Sequence, residues 1–411
     1  MSDPSTNYDV LIVGGGMVGA SLACALGRSP LRIGLVEAFA YGTAVQPSYD
    51  DRSIALAYGS CRIFEALGLW QTLLPHAAPI KQIHISDRGH FGFAHLDSAA
   101  QRVAALGYVV EMRVLGEVLS QALTQVSNLD LMAPAKVKSV VVGEQSVAVE
   151  VERQGVLQRI TAKLVVAADG DRSAVRDILQ IPTTRSEYHQ VAVIANVTPG
   201  KKHNDVAYER FTDSGPLALL PLPHNRCSLV WTTRPDQVDT LLQCDEAQFL
   251  AHLQERFGFR LGRFQKVGAR HAYPLALVQA REHVAHRVVL IGNAAHTLHP
   301  VAGQGFNLGI RDVAALAQTL HDATLIGKDI GALSQLNTYR AWRDSDHRQV
   351  ITFTDSLARL FANPATLLAT TRNLGLLLVD MIPVAKEALV KEAMGLGGKL
   401  PRLSCGLALH I

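Results

Sequence analysis

The strongest constraint on this chain lies in its first 37 residues. An apolar run at 8–13 meets Gly14-Gly15-Gly16-Met17-Val18-Gly19, followed by a helical stretch at 20–28 and a second apolar run at 31–37. Strand, glycine turn, helix, strand is the βαβ opening of a parallel sheet, and the glycines fit G-x-G-x-x-G where that motif binds a dinucleotide. Gly14 permits the tight turn, Gly16 lets the main chain approach a pyrophosphate, and Gly19 allows close helix–strand packing. The helix N-terminus then faces the negative charge. Glu37 ends the second strand, placed to accept hydrogen bonds from the adenosine ribose hydroxyls, and an acid there disfavours a 2′-phosphate. This motif alone does not separate NAD from FAD.

Bulk properties exclude several alternatives. The 411 residues are 48% hydrophobic and 18% charged, enough for a large core divided among more than one unit. The formal net charge is only +3, with Lys and Arg scattered, which argues against a nucleic-acid partner. Cys24, Cys61, Cys227, Cys244 and Cys405 are an odd number without a CxxC pair, which supports neither a disulfide framework nor a zinc site. Residues 1–8 are polar without a basic region, and no stretch reaches the roughly 18 apolar residues of a membrane span. A cytoplasmic protein is expected, with peripheral contact at the inner face of the cytoplasmic membrane left open.

Two further apolar strands, 164–168 and 287–291, run into Asp169-Gly170 and Gly292-Asn293, each followed by a helical pattern. Between them, residues 191–273 alternate apolar and polar positions, as in 217–222 and 226–232, with one helix around 246–257. The stretch 80–95 alternates similarly. The expected fold is α/β: a Rossmann-like, discontinuous dinucleotide-binding domain (1–75, 100–180 and 274–360), an inserted antiparallel β-sheet substrate domain (76–99 and 181–273), and a helical C-terminal segment (361–411).

Asp169-Gly170-Asp171-Arg172-Ser173-Ala174-Val175-Arg176 reads D-G-x-x-S-x-x-R. A third motif runs from Gly292-Asn293-Ala294-Ala295-His296 through Thr297-Leu298-His299-Pro300 to Gly303-Gln304-Gly305-Phe306-Asn307. Together these motifs resemble the class A flavoprotein aromatic hydroxylases, the para-hydroxybenzoate hydroxylase superfamily, whose third motif is G-D-A-A-H, a proline loop, then G-x-G-x-N. The resemblance implies FAD, with Asp169 and Gly170 near the pyrophosphate and Asn293 against the ribityl–phosphate. Backbone N–H groups of Gly303, Gly305 and Asn307 would face the flavin N1 and C2 carbonyl, where charge collects on reduction. Asn293 departs from the usual Asp, which removes a charge and keeps a hydrogen-bonding side chain of the same shape.

The string around Gly292–Pro300 is similar to the ubiquinone-biosynthesis branch, and within it to the 2-polyprenyl-6-methoxyphenol hydroxylases. So are Asp51-Arg52-Ser53-Ile54-Ala55-Leu56, whose Arg52 lies by the flavin in that branch, and Arg113, which resembles its FAD-contacting arginine. An ion pair with Asp50 or Asp51 is the alternative reading of Arg52. The implied reaction is hydroxylation of a polyprenyl-methoxyphenol ring through a flavin C4a-hydroperoxide, with O2 as cosubstrate. NAD(P)H would bind only transiently, since no second G-x-G-x-x-G is present.

Pro300 and Gln304, in the flavin loop, and Tyr208 are the candidates at the reacting centre. Tyr208, Pro221, Trp231 and Tyr273 are candidate pocket walls, with Tyr208 or Tyr273 able to hydrogen-bond a phenol. His296 and His299 invite a metal reading, but structural hydrogen bonding accounts for them better, and no metal is expected. The apolar run 374–384, with Lys386 and Lys391 beyond it, either lies on a membrane surface, meets another ubiquinone-biosynthesis protein, or packs onto its own domain. Alternatives that keep the fold are hydroxylation of another phenol, a prenyl reductase, a flavin halogenase (its W-x-W-x-I-P signature is absent), and a non-enzymatic prenyl-protein chaperone.

Overall fold

A computed structural model describes residues 7–41, 52–89, 92–362 and 383–409. Asp50, Asp51 and most of the apolar run 374–384 lie outside them. The first strand, Asn7–Val13, sits inside an eight-stranded sheet with parallel neighbours Ile33–Val36 and Val156–Ala167. Parallel strands Val288–Leu290 and Leu129–Met132 extend it on the two sides. Covered on both faces, the first strand reads as continuous apolar sequence. Val10 and Ile12 pack with the helices Met17–Leu26 and Gln304–Leu325, while Leu11 and Val13 join a second cluster on the opposite face.

A second, nine-stranded sheet is built mainly from Thr183–Thr198, Val206–Thr212, Gly215–Leu222, Arg226–Thr233 and His271–Ala280. Gln82–Asp87 joins it beside Val206–Thr212, in parallel, and so contributes a parallel pair to a largely antiparallel sheet. The sheet runs past residue 274, where the sequence suggested a return to the nucleotide-binding domain. His271–Ala280 stays paired with Thr183–Thr198 from His271 opposite Ile194 to Ala280 opposite Thr183. The strand His296–Thr297 then pairs with it in turn, so the third motif, which follows the first sheet's strand Val288–Leu290, is hydrogen-bonded to the second sheet.

Strand alternation divides the two faces of the second sheet. Val193, Tyr208, Leu217, Leu219, Leu229 and Trp231 pack against Phe249, Leu253 and Phe257 of the helix Glu246–Phe257. Asp245 caps that helix, accepting from Gln248 N in a complete capping box. The residues between them in sequence turn to the other face. A three-stranded sheet (Ser53–Ala57, Gly107–Glu111, Ala78–Ile80) completes the β-structure, and the chain ends in the helices Leu333–Ala362 and Pro383–Ala393. Among the described residues, no helix is long and apolar enough to cross a membrane.

Candidate active site

The two large sheets and the three motifs enclose a cavity of about 1630 Å³, against the roughly 300–1,000 Å³ of an ordinary small-ligand pocket. The volume suits a large cofactor with a second molecule beside it. Gly14, Gly16, Glu37, Arg52, Asp169, Gly170, Asn293, Pro300, Gly303, Gln304, Gly305 and Asn307 all line it. Segments nearly 300 residues apart therefore share one wall.

The glycines explain how. Gly14 has φ +99°, and a Cβ there would sit 2.5 Å from the Ala168 carbonyl oxygen. A Cβ on Gly19 would lie 1.9 Å from the Gly14 carbonyl oxygen, so the helix can approach the turn only without a side chain. Gly19 itself does not line the cavity; it serves the packing. Gly303, at φ +60°, starts the 22-residue helix Gln304–Leu325. At Gly305 a Cβ would meet nothing within 4 Å and would project into open space. The helices Met17–Leu26 and Gln304–Leu325 both begin at a glycine with no side-chain cap, which leaves first-turn N–H groups for a ligand. Both dipoles favour negative charge there.

Glu37 is buried, with Oε2 accepting from Gly15 N at 2.6 Å and Oε1 from Phe39 N at 2.9 Å. Each carboxylate oxygen retains a lone pair for a ribose hydroxyl. Burial raises its pKa, and the backbone donors oppose that. Asp169 accepts from Val175 N at 3.1 Å, and burial likewise raises its pKa. Ser173 caps the following short helix, and Arg176 donates from Nη2 to the Asp171 carbonyl and from Nη1 to the Ala294 carbonyl. The second motif thus braces the third.

Several residues stand differently from their expected places. Arg113 does not line the cavity; its half-exposed guanidinium meets Glu117 at 2.8 Å and Glu111 at 3.7 Å. Asn307 borders the cavity, but its side chain is fully engaged within the protein. Oδ1 accepts from Ala57 N and Ser60 Oγ, and Nδ2 donates to the carbonyls of Ala55 and Gly303. Those four bonds exhaust its capacity, so the side chain clamps the helix start to the strand Ser53–Ala57.

Tyr208 borders the cavity, yet its ring belongs to the opposite face of the sheet, edge-on to Phe257 at 5.4 Å. Trp231 stands on that same far face, and Pro221 is not part of the cavity wall. Of the four proposed wall residues only Tyr273 presents its ring, beneath the Arg52 guanidinium at 5.0 Å. The sequence reading passed over Glu209, which lines the cavity one residue after Tyr208. Its parity with Ala207 and Phe211 was the available signal.

His296 lies in a buried network centred on Asp312. The Asp312 carboxylate accepts from His296 Nε2 at 3.0 Å, His347 Nε2 at 2.6 Å and Arg343 Nε at 2.8 Å. Burial opposes its ionisation, but His347 and Arg343, with the histidine hydrogen bonds, hold the carboxyl well below the usual range. The three potential ligand atoms of His296, Asp312 and His347 lie within 4.8 Å of one another. Arg343 bonds the same Asp312 oxygen as His347, which puts a guanidinium charge where a cation would stand. His299 Nδ1 accepts from Val301 N, shaping the proline loop.

Comparison with known proteins agrees with this geometry. Residues 7–354 match the family model described as an FAD binding domain. The chain is 39% identical over 404 residues to the ubiquinone hydroxylase UbiL of Rhodospirillum rubrum, covering 98% of this chain and 93% of that protein. It is 33% identical over 392 residues to 3-demethoxyubiquinol 3-hydroxylase of Escherichia coli, covering 94% and 98%. Among solved structures, p-nitrophenol 4-monooxygenase PnpA from Pseudomonas putida shares the fold with a TM-score of 0.79 at 20% identity, over 96% of this chain and 99% of that one. A glycine cradle, an acid at the end of the second strand and an uncapped helix start suit an FAD, and the chain belongs to the FAD-binding family of class A flavin aromatic hydroxylases, enzymes that use NAD(P)H and O2.

Proposed function

We propose that this protein hydroxylates the aromatic ring of a polyprenyl-methoxyphenol in ubiquinone biosynthesis. The carrying observation is the composition of the cavity wall. Beside the motif residues, Ile83, Leu96, Leu106, Leu389 and Ala393 line the cavity and belong to one apolar cluster with Val390 and Met394. A ring with a prenyl tail needs such a surface next to the cofactor, whereas a small polar phenol does not. The relationship to UbiL and to the 3-hydroxylase of E. coli supports the same substrate class.

Bound FAD supplies an electrophilic oxygen atom from O2 after reduction by NAD(P)H. The protein binds and orients. Gly14, Gly16 and the start of Met17–Leu26 hold the pyrophosphate, Glu37 the ribose, and Asn293 the ribityl–phosphate. N–H groups at the start of Gln304–Leu325 stabilise negative charge on the reduced ring, while Pro300 and Gln304 shape the wall where the substrate ring meets it. The sheet face that carries Ile194, Ala218 and Val230 excludes water from the reacting atoms. In this reading the nucleotide-binding domain comprises the first sheet with its helices, the substrate domain the second sheet up to Ala280, and the C-terminal helix Pro383–Ala393 closes the apolar part of the cavity.

Lipid extracts of cells lacking the gene test the proposal. Loss of ubiquinone with accumulation of 2-polyprenyl-6-methoxyphenol is the expected result, and places the new hydroxyl para to the phenol oxygen. Accumulation of a demethoxyubiquinol moves the reaction to another ring carbon of the same substrate class. An unchanged quinone pool, with no second hydroxylase present, overturns the reading.

A further inference from the structure

We propose that Glu209 accepts the phenolic proton of the substrate, so that the ring reacts as a phenolate. The inference rests on the proposed phenol substrate and adds a catalytic residue to it.

Glu209 occupies the middle of the strand Val206–Thr212. Cross-strand pairing places it in one row with Ile85 on one side and Ala218, Val230 and Ile194 on the other. Paired residues share a face, and all five line the cavity. The row is apolar except for this one carboxyl group.

The elements around it offer no partner among the described residues. Gln82–Asp87 presents Ile83 and Ile85, Gly215–Leu222 presents Ala218 and Leu220, and Arg226–Thr233 presents Ser228 and Val230. From the helix Leu333–Ala362 come Phe353 and Leu357, and from the proline loop Val301. None of these titrates. The neighbouring Tyr208 ring is turned to the far face, and Tyr273, elsewhere on the wall, lies beneath the Arg52 guanidinium. The described residues show no hydrogen bond or ion pair that would make Glu209 a structural element. A carboxyl in an apolar wall is costly to folding, and here its accessible surface opens on the substrate space.

Burial pushes the Glu209 carboxyl up to about 8. That value suits a general base working near neutral pH, because the base form is available and binds its proton firmly. The proton balance closes. The phenolic O–H bond breaks, the carboxylate takes the proton, and the electron pair stays on the phenolic oxygen. It is relayed through the ring to the carbon that forms the new bond to one oxygen atom of O2, while the O–O bond breaks and the second oxygen, reduced by the two electrons from NAD(P)H, departs as water. As that carbon then loses its own hydrogen as a proton, the former phenolic oxygen recovers one from Glu209, and the carboxylate is restored.

The test uses holoenzyme and a 2-methoxyphenol bearing a short 6-prenyl chain as the probe. With the wild type, hydroxylation rises with pH and levels off above about 8. E209Q keeps its FAD and binds the probe, loses the rising limb and hydroxylates on the order of 10²–10⁴-fold more slowly. Its NAD(P)H oxidation is diverted to hydrogen peroxide. E209D, one methylene shorter, keeps the limb at a reduced rate. An E209Q enzyme with the wild-type pH profile and the wild-type rate overturns the proposal. If E209Q does not fold, the wild-type pH profile decides alone, since a hydroxylation rate that is flat from pH 6 to pH 9 overturns the assignment equally. A wild-type enzyme that binds the probe without hydroxylating it refutes the substrate reading itself, a result distinct from failure of Glu209 alone.

Discussion

Arg176 Nη1 donates to the Ala294 carbonyl at 3.1 Å, across 118 residues of sequence. This buried bond joins the second motif to the third, and its partner bond to Asp171 O at 2.6 Å holds the guanidinium in place. Hydrogen bonds from a charged donor contribute about 1.5–3 kcal/mol each. Arg176→Met is therefore expected to lower stability by roughly 2–4 kcal/mol and to weaken FAD binding at least tenfold. Urea denaturation of the apoprotein and flavin fluorescence titration measure the two losses separately.

Gly305 and Gly19 are expected to separate cofactor binding from folding. A Cβ on Gly305 meets no protein atom within 4 Å, while on Gly19 it meets the Gly14 carbonyl oxygen at 1.9 Å. Gly305→Ala leaves the apoprotein unchanged or more stable by about 0.5–1 kcal/mol, as alanine is the better helix residue, yet it obstructs FAD. Gly19→Ala impairs both. Equal losses of apoprotein stability in the two variants would refute the distinction.

Tyr208→Phe is expected to leave kcat/KM for the aromatic substrate unchanged, since the ring packs against Phe257 on the far face of the sheet. Tyr208→Ala removes that packing and costs about 3–5 kcal/mol of stability. A large drop in kcat with Tyr208→Phe would return the hydroxyl to the reacting centre.

Asp312 joins the third motif to the helix Leu333–Ala362 through His296, Arg343 and His347. Asp312→Asn leaves the buried Arg343 without its carboxylate partner on the helix Gln304–Leu325, with Asp346 of its own helix remaining, and is expected to cost about 3–5 kcal/mol. Because the folded protein holds this carboxyl below its ordinary value, its stabilisation is complete above about pH 4 and disappears as pH falls through the depressed value. Denaturation curves at stepped pH should therefore show wild type and Asp312→Asn converging only in acid.

The residues on this part of the cavity wall were legible in the sequence because they lie on strand–turn–helix units. There, a few consecutive residues dictate the backbone path: Gly14, Gly16, Asp169, Gly170, Gly303 and Gly305 all reached the cavity wall. The fold class followed from the same local patterns, parallel apolar runs at the motifs and alternation between them. What tertiary structure alone decided was which way individual side chains turn. Alternation along Val206–Thr212 shows that Tyr208 and Glu209 face opposite sides, but only pairing with Ala218 and packing of Phe257 against Tyr208 determine which side is the cavity. Arg113 met its own neighbours Glu111 and Glu117 instead of the cavity, and Asn307 spent all four hydrogen bonds on segments that include Ala55, Ala57 and Ser60, some 250 residues earlier. A short motif determines where the backbone goes. The partner a side chain finds there is set by distant segments brought alongside it, and their identity is absent from the motif.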